Sequence, residues 1–419
     1  MMQNLNLKDA IKKIIKNSLF YQKKFSISNV DLVGNIIFEE LPFTTKNDLL
    51  EDQQKNPPFG SNLCVDVNKI LRIHQTSGTT NKPLIITLTQ KDINVNIAIG
   101  KRCFISSGLS EKDIVVHCLS YNMWMGGFTD HQSLEATGAA VIPFGVGNSK
   151  KLVNMIFSLK PTTIHCTPSY MKRLELLIKN EFNFQPKDLG LKLGLFGAES
   201  GLQNAEFKKN IENIWGLKAM NANYGMADVL SIFGAECRYQ NGLHFMGEGV
   251  IYPELIDYRT GELLPIQKDV EGELILTNLV REAQPLIRYR TNDIIKILAT
   301  EKCSCGQSGF RFEIIGRSDD MMTIKGVNVF VSAIENLLND NLDFLTGMFQ
   351  IHINKHAPID EIHLKIEVKN ETLISDIPFK QELLNKFKEK LVISPSIDFI
   401  LDGYLPRTEG KSQKLFRDL

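Results

Sequence analysis

No stretch of this chain approaches the roughly 20 consecutive apolar residues that a helix needs to cross a bilayer, which argues against a helical membrane protein. The opening Met-Met-Gln-Asn-Leu-Asn lacks the basic segment and apolar core of a secretory leader, so a cytoplasmic location is expected. An excess of charge is missing as well. Lys+Arg and Asp+Glu both number 48, and that balance removes the electrostatic footprint of a nucleic-acid or anionic-membrane binder. Cysteine is scarce: seven, an odd number, scattered over 419 residues, which fits reduced thiols better than a disulfide framework. Only Cys303 and Cys305 sit close together. What remains is a globular chain, 43% hydrophobic and 23% charged, long enough for at least one large core and two or more domains, with a small molecule as the favoured partner.

The stretch Gln75 to Thr89 packs hydroxyls, a glycine and a lysine between two β-like runs. Thr76, Ser77, Thr79 and Thr80 offer hydroxyl donors beside Gly78, whose missing side chain lets backbone N–H groups approach an anion, and Lys82 adds a mobile positive charge. That is a grip suited to polyphosphate. It is not the common nucleotide loop, which needs Gly-Lys-Ser/Thr opening a helix; here Lys82 precedes Pro83, and Leu84 to Leu88 reads as a strand. A Ser/Thr-rich hairpin turn is the plain alternative.

Leu7, Ile11, Ile14, Ile15 and Phe20 fall on one face of an amphipathic lead-in helix. Between Ile114 and Asn221 apolar strands alternate with helices of i, i+3, i+4 spacing, which predicts a largely parallel sheet covered on both faces, with ligands outside the carboxyl ends of the strands. Two such ends stand out: Gly197-Ala198-Glu199 and Asn223-Tyr224-Gly225-Met226-Ala227-Asp228. Beyond Asp228 the pattern becomes β-rich, and after Gly316 a small α+β domain of about 100 residues is expected. His352 and His363 lie on polar alternations there and are expected to face solvent. Cys237, His244, Cys303 and Cys305 flank the β-rich part and would make a Cys₃His site of the structural zinc type; three reduced cysteines and a surface histidine are the alternative.

Five motifs in order resemble the adenylate-forming enzyme superfamily and, within it, the phenylacetate-coenzyme A ligase family. They are Thr76 to Pro83, Tyr224 to Asp228, Pro285-Leu286-Ile287-Arg288-Tyr289-Arg290-Thr291-Asn292-Asp293, Gly316 to Met321 with Lys325 to Phe330, and Leu405-Pro406-Arg407-Thr408-Glu409-Gly410-Lys411. The resemblance implies an α/β fold with a large ATP- and acid-binding domain (residues 1–318), containing parallel sheets and a β-rich part, and a small mobile α+β domain (319–419). It implies two steps: a carboxylate and ATP give an acyl-adenylate and pyrophosphate, then a thiol displaces AMP.

Carried over residue by residue, Ser77 to Lys82 would hold the departing phosphates, Gly197, Ala198 and Tyr224 would flank the adenine, and Asp293 would accept from the ribose hydroxyls with Arg317 behind it. Lys411 would contact the substrate carboxylate and the α-phosphate, and Asp319 would be the hinge. Asp228 stands where the family usually has Glu to hold Mg²⁺, and Asn81 where it often has Gly. Tyr121, Met123, Trp124, Gly126, Gly127 and Ala222 would line the acid pocket, a mostly apolar wall with no acidic residue placed for an ammonium group, suited to an aryl or apolar acid. The implied partners are that acid and coenzyme A or the phosphopantetheine of an acyl carrier protein, with a homodimer as candidate assembly. A catalytically silent nucleotide-binding protein would keep the same fold.

Overall fold

The computed structural model describes residues 7–27, 37–76, 83–199, 201–354, 359–406 and 413–417. Packing divides the chain into two compact units, Met1–Gly145 with Ala222–Glu313 and Val146–Asn221 with Ile314–Leu419.

In the first unit, Ile11, Ile14 and Ile15 bury one face of the helix Leu7–Asn17. The lead-in is not one helix but two: Ser18 breaks it, its hydroxyl accepting the Tyr21 N–H and meeting Asn62, and Leu19–Ile27 follows. Phe20 therefore belongs to the second helix. Tyr21 closes this corner, its hydroxyl accepting the N–H of Ile287, 266 residues away, at 2.7 Å. Thr45 and Thr89 start the helices Lys46–Lys55 and Gln90–Ser106 with reciprocal capping boxes to Asp48 and Asp92. Arg72–Gln75 pairs antiparallel with Ile85–Leu88, and Ile114–His117 pairs parallel with Ala140–Pro143. The β-rich part is antiparallel: Ile251–Ile256 pairs with Glu271–Asn278, which pairs in turn with Tyr289–Ala299.

In the second unit, the parallel strands Thr163–Cys166 and Leu193–Gly197 are joined by the helix Pro168–Glu181, opened by a proline at its first turn. The α+β part holds four strands in the order Ser396–Leu401, His363–Val368, Leu345–Ile353, Leu415–Arg417. Its core gathers Ile334, Leu338, Ile351, Leu364, Leu383 and Phe387. A hairpin missed by periodicity, Met321–Ile324 with Val327–Phe330, turns on Lys325 (φ 48°) and Gly326 (φ 84°), the paired left-handed geometry that tight hairpins require. His352 and His363 lie on the outward alternation of their strands, opposite the buried Ile351, Ile353 and Leu364, and are partly covered there: the first stacks on Phe416 at 5.1 Å, and the second reaches Ser396 and Asp398.

Candidate active site

The strand Lys218–Met226 runs five residues beyond the Asn221 end that spacing suggested, because Tyr224 pairs with Gly234 and Met226 with Leu230 across an irregular ladder. Tyr224 is thereby held in an aromatic cluster with Phe233 and Phe312, at 5.1 and 5.3 Å. Its hydroxyl donates to Asp293 Oδ2 at 2.8 Å. The motif residue Tyr224 thus orients the motif residue Asp293. Gly225 has a packing reason: any side chain there would run into the backbone of Ser231.

Asp228 lies in the turn that follows. Tyr289 Oη donates to its Oδ2 at 2.7 Å, while Oδ1 is buried without a protein partner. A buried, unpartnered carboxylate oxygen fits a divalent cation, so Asp228 suits the magnesium role even with the shorter side chain.

In the second unit, Ala198 follows the strand Leu193–Gly197 at φ +66°, a left-handed conformation that costs a non-glycine residue about 1 kcal/mol or more and clusters at functional sites. Next to it, Glu199 Oε2 accepts the Ser169 N–H at 3.2 Å, at the start of the helix Pro168–Glu181. Arg317 makes a bidentate pair with Asp319, at 2.9 and 2.8 Å.

The hairpin below the phosphate-grip candidate is fastened to the proposed acid wall. Gln75 N donates to Met123 O at 2.9 Å, Gln75 bridges Trp124, and Thr76 Oγ1 accepts the Leu84 N–H, closing the hairpin mouth. Met123 sits at φ +57°, left-handed as Ala198 is. Ser77, Gly78, Thr79, Thr80, Lys82 and Lys411 lie outside the described residues.

Tyr121 Oη meets His131 Nδ1 at 3.0 Å, and His131 Nε2 meets Glu135 at 3.1 Å. His117 donates from Nε2 to Gly127 O at 2.7 Å; burial pushes its pKa down to about 4, so the ring is neutral. The small residues of this wall serve its own packing: a side chain at Gly127 would strike the Ser120 carbonyl, Gly126 backs onto the Asp130 carboxylate, and Ala222 is fully buried.

Asp130 is what residue patterning did not find. An acidic side chain does stand behind this wall, but its oxygens are taken by Asn223 Nδ2 and Ser231 Oγ, 93 and 101 residues away. Burial raises its pKa from 3.8 to about 8, against the lowering pull of the Ser231 and Asn223 hydrogen bonds. Between those values the folded protein keeps a proton that the unfolded chain releases, so the contribution of Asp130 to stability falls as pH rises from about 4 to about 8. Asp130→Asn removes that titration. Thermal denaturation from pH 5 to 8 should show wild type losing stability relative to the variant, by on the order of a few kcal/mol. Parallel curves would mean that Asp130 is ionised throughout.

The four sulfur and nitrogen candidates do come together. Cys237, His244, Cys303 and Cys305 place one ligand atom each within 4.8 Å of one another. Cys237 Sγ lies 4.0 Å from Cys303 Sγ, and Cys305 Sγ 3.7 Å from His244 Nε2; a tetrahedron with Zn–S bonds of about 2.3 Å has edges of about 3.7 Å. Strand pairing of His244 with Ala235 and Arg311 brings the segments together, and a tight turn in which Gly306 (φ +95°) donates to Cys303 O presents the last two cysteines. Burial, then Arg311, pushes His244 down to about 4, leaving a neutral imidazole. Burial opposes a thiolate at Cys303, but hydrogen bonds led by the Cys305 N–H carry it below the ordinary thiol range.

Fold and motifs define a class. The sequence matches the AMP-binding enzyme family over residues 21–278 and the AMP-binding enzyme C-terminal domain over residues 326–418; the chain belongs to the AMP-binding, adenylate-forming family. Its curated relatives include phenylacetate-coenzyme A ligases from Pseudomonas putida, 33% identical over 97% of this chain and 91% of the relative, and from Escherichia coli K12, 31% identical over 99% and 94%. Among solved structures it resembles 2-hydroxyisobutyryl-CoA ligase in the postadenylation state with 2-HIB-AMP, at TM-score 0.89 and 25% identity over 100% of this chain and 88% of that one. The same ligase with 2-HIB-AMP and CoA in the thioesterification state gives TM-score 0.70 over the same shares. The adenylate-forming fold is therefore shown, as a mixed α/β protein with an α+β C-terminal part. Among the described residues no helix is long and apolar enough to cross a membrane.

Proposed function

We propose that this protein is an ATP-dependent acid–coenzyme A ligase that activates an aryl or apolar carboxylic acid as its acyl-adenylate and transfers the acyl group to coenzyme A, releasing pyrophosphate and then AMP. The observation that carries this reading is the near full-length similarity to acid–CoA ligases. The hydrogen bond by which the buried Tyr224 fixes Asp293, the carboxylate proposed for the ribose hydroxyls, supports it. A carboxylate attacking the α-phosphate builds charge on phosphoryl oxygens, and fixed donors and cations stabilise that charge more in the transition state than in the ground state. Ser77 to Lys82 and Lys411 would supply these donors and cations. Magnesium, held by Asp228, would neutralise phosphate charge.

Gly197, Ala198 and Glu199 would contact the base, as would the run Asn223 to Met226; Asp293 would accept from the ribose hydroxyls, a role that Arg317 would support. Tyr121, Met123, Trp124 and their small neighbours would receive the acid. Both oxygens of Asp130 accept hydrogen bonds within the wall, so among the described wall residues this carboxylate is not left for an ammonium group, which favours aryl or apolar acids. Asp319 would be the hinge on which residues 319–419 move between the two steps. Zn²⁺ would occupy the Cys237, His244, Cys303, Cys305 tetrad as a structural ion. Delivery to a carrier protein instead of coenzyme A, and assembly as a homodimer, stay within the same reading.

The test is ATP–pyrophosphate exchange over a panel of aryl, aliphatic and amino acids, followed by thioester formation with coenzyme A or a phosphopantetheinylated carrier. An aryl or apolar acid should drive exchange, and coenzyme A should accept the acyl group. A strong preference for a zwitterionic amino acid would refute the substrate class, and no exchange with any acid would point to a silent nucleotide binder.

A further inference from the structure

The backbone around Asp228 is held from a distance. Arg281, on the segment between the strands Glu271–Asn278 and Tyr289–Ala299, donates from Nη1 to the carbonyls of Asp228 at 2.6 Å and Val229 at 3.1 Å. Asn278 Nδ2 adds a second bond to Val229 O at 3.3 Å. Arg281 is itself anchored. The N–H groups of the next two residues, Glu282 and Ala283, donate to the two oxygens of Asp92 at 2.7 and 3.1 Å, and Asp92 is fixed in the capping box of Gln90–Ser106.

The carboxylate is held at its other end. Tyr289 Oη occupies Oδ2 at 2.7 Å, which leaves Oδ1 as the carboxylate oxygen without a protein partner. The guanidinium is buried, and two nearby carboxylates, Asp92 and Asp228, favour its charged form. An aspartate has one side-chain torsion fewer than a glutamate, so the position of its oxygens follows the backbone more closely.

We propose that Arg281 and Tyr289 are the positioning pair of the metal carboxylate: Arg281 sets the Asp228 backbone, Tyr289 sets its Oδ2, and Oδ1 is thereby presented to the divalent ion. This rests on the reading of Asp228 as the magnesium ligand. It assigns Arg281, which lies outside every motif named above except by proximity, a role in metal affinity.

The experiment measures Mn²⁺ binding in the presence of ATP by the loss of the free-ion electron paramagnetic resonance signal, together with the Mg²⁺ concentration giving half-maximal pyrophosphate exchange, for Asp228→Asn, Arg281→Gln, Arg281→Lys and Tyr289→Phe. Arg281→Gln and Tyr289→Phe should each weaken Mn²⁺ binding and raise the Mg²⁺ requirement by roughly tenfold or more, the usual cost of losing a group that orients a metal ligand. Arg281→Lys, which keeps charge and donors, should recover most of that loss. If Asp228→Asn leaves Mn²⁺ binding unchanged, Asp228 is not the ligand and the underlying reading fails. If Asp228→Asn weakens binding while the folded Arg281→Gln and Tyr289→Phe proteins stay within about twofold of wild type, the positioning role is overturned. Should Arg281→Gln not fold, Tyr289→Phe and Arg281→Lys decide alone: the pair stands if the first weakens Mn²⁺ binding and the second does not.

Discussion

Lys411→Ala should slow acyl-adenylate formation by about 10²- to 10³-fold, the typical cost of removing one donor aimed at transition-state charge, while thiolysis of preformed acyl-adenylate proceeds at the wild-type rate. The asymmetry follows from the charge that each step develops. In-line attack on the α-phosphate accumulates negative charge where a lysine ammonium helps most, whereas displacement of AMP by a thiol needs no second cation at that oxygen. Pyrophosphate exchange and a single-turnover thiolysis assay separate the two. Equal losses in both would mean that Lys411 supports the fold or serves both steps.

The second large effect is expected at the cysteine cluster. Purified protein should carry about one zinc per chain, and Cys305→Ser should lose the metal and lower the melting temperature by on the order of 10 °C, because ion-binding free energy at such a site is folding free energy. The active-site residues derived above are separate from these ligands. Loss of metal should therefore appear first as instability and only then as lost activity. A metal-free wild-type protein of unchanged melting temperature and turnover would remove the zinc assignment, leaving the tetrad as a buried thiol cluster with a neutral histidine.

What was legible in the chain had local signatures. Hydrophobic period located the helix Ser149–Leu159 and the strand Thr163–Cys166, and the cysteine–histidine cluster was legible because soft ligands are rare enough to notice. The misses are interactions that no local pattern encodes. Asp130 resembles any acidic residue of a surface helix until Asn223 and Ser231 arrive from far along the chain. Ser18 reads as one more polar position on a helix until Asn62 takes its hydroxyl. The strand Lys218–Met226 looked finished at Asn221 because the small and polar residues after it suggest a turn; pairing with Leu230–Ala235 extends it. Glycines were ambiguous for the same reason: Gly127 and Gly225 suit close approach of a ligand and close approach of backbone equally well, and the structure shows the second.

The corner where Tyr21 holds Ile287 has a consequence for how the protein is made. The helices Leu7–Asn17 and Leu19–Ile27 bury Ile11, Tyr21 and Phe25 in a cluster completed by Ile287. A ribosome adding about 5–20 residues per second would deliver that partner on the order of tens of seconds after these helices emerge. For that interval the nascent chain exposes an aromatic, amphipathic surface whose mate is still being translated, which makes this segment a natural client for chaperones that bind near the tunnel exit.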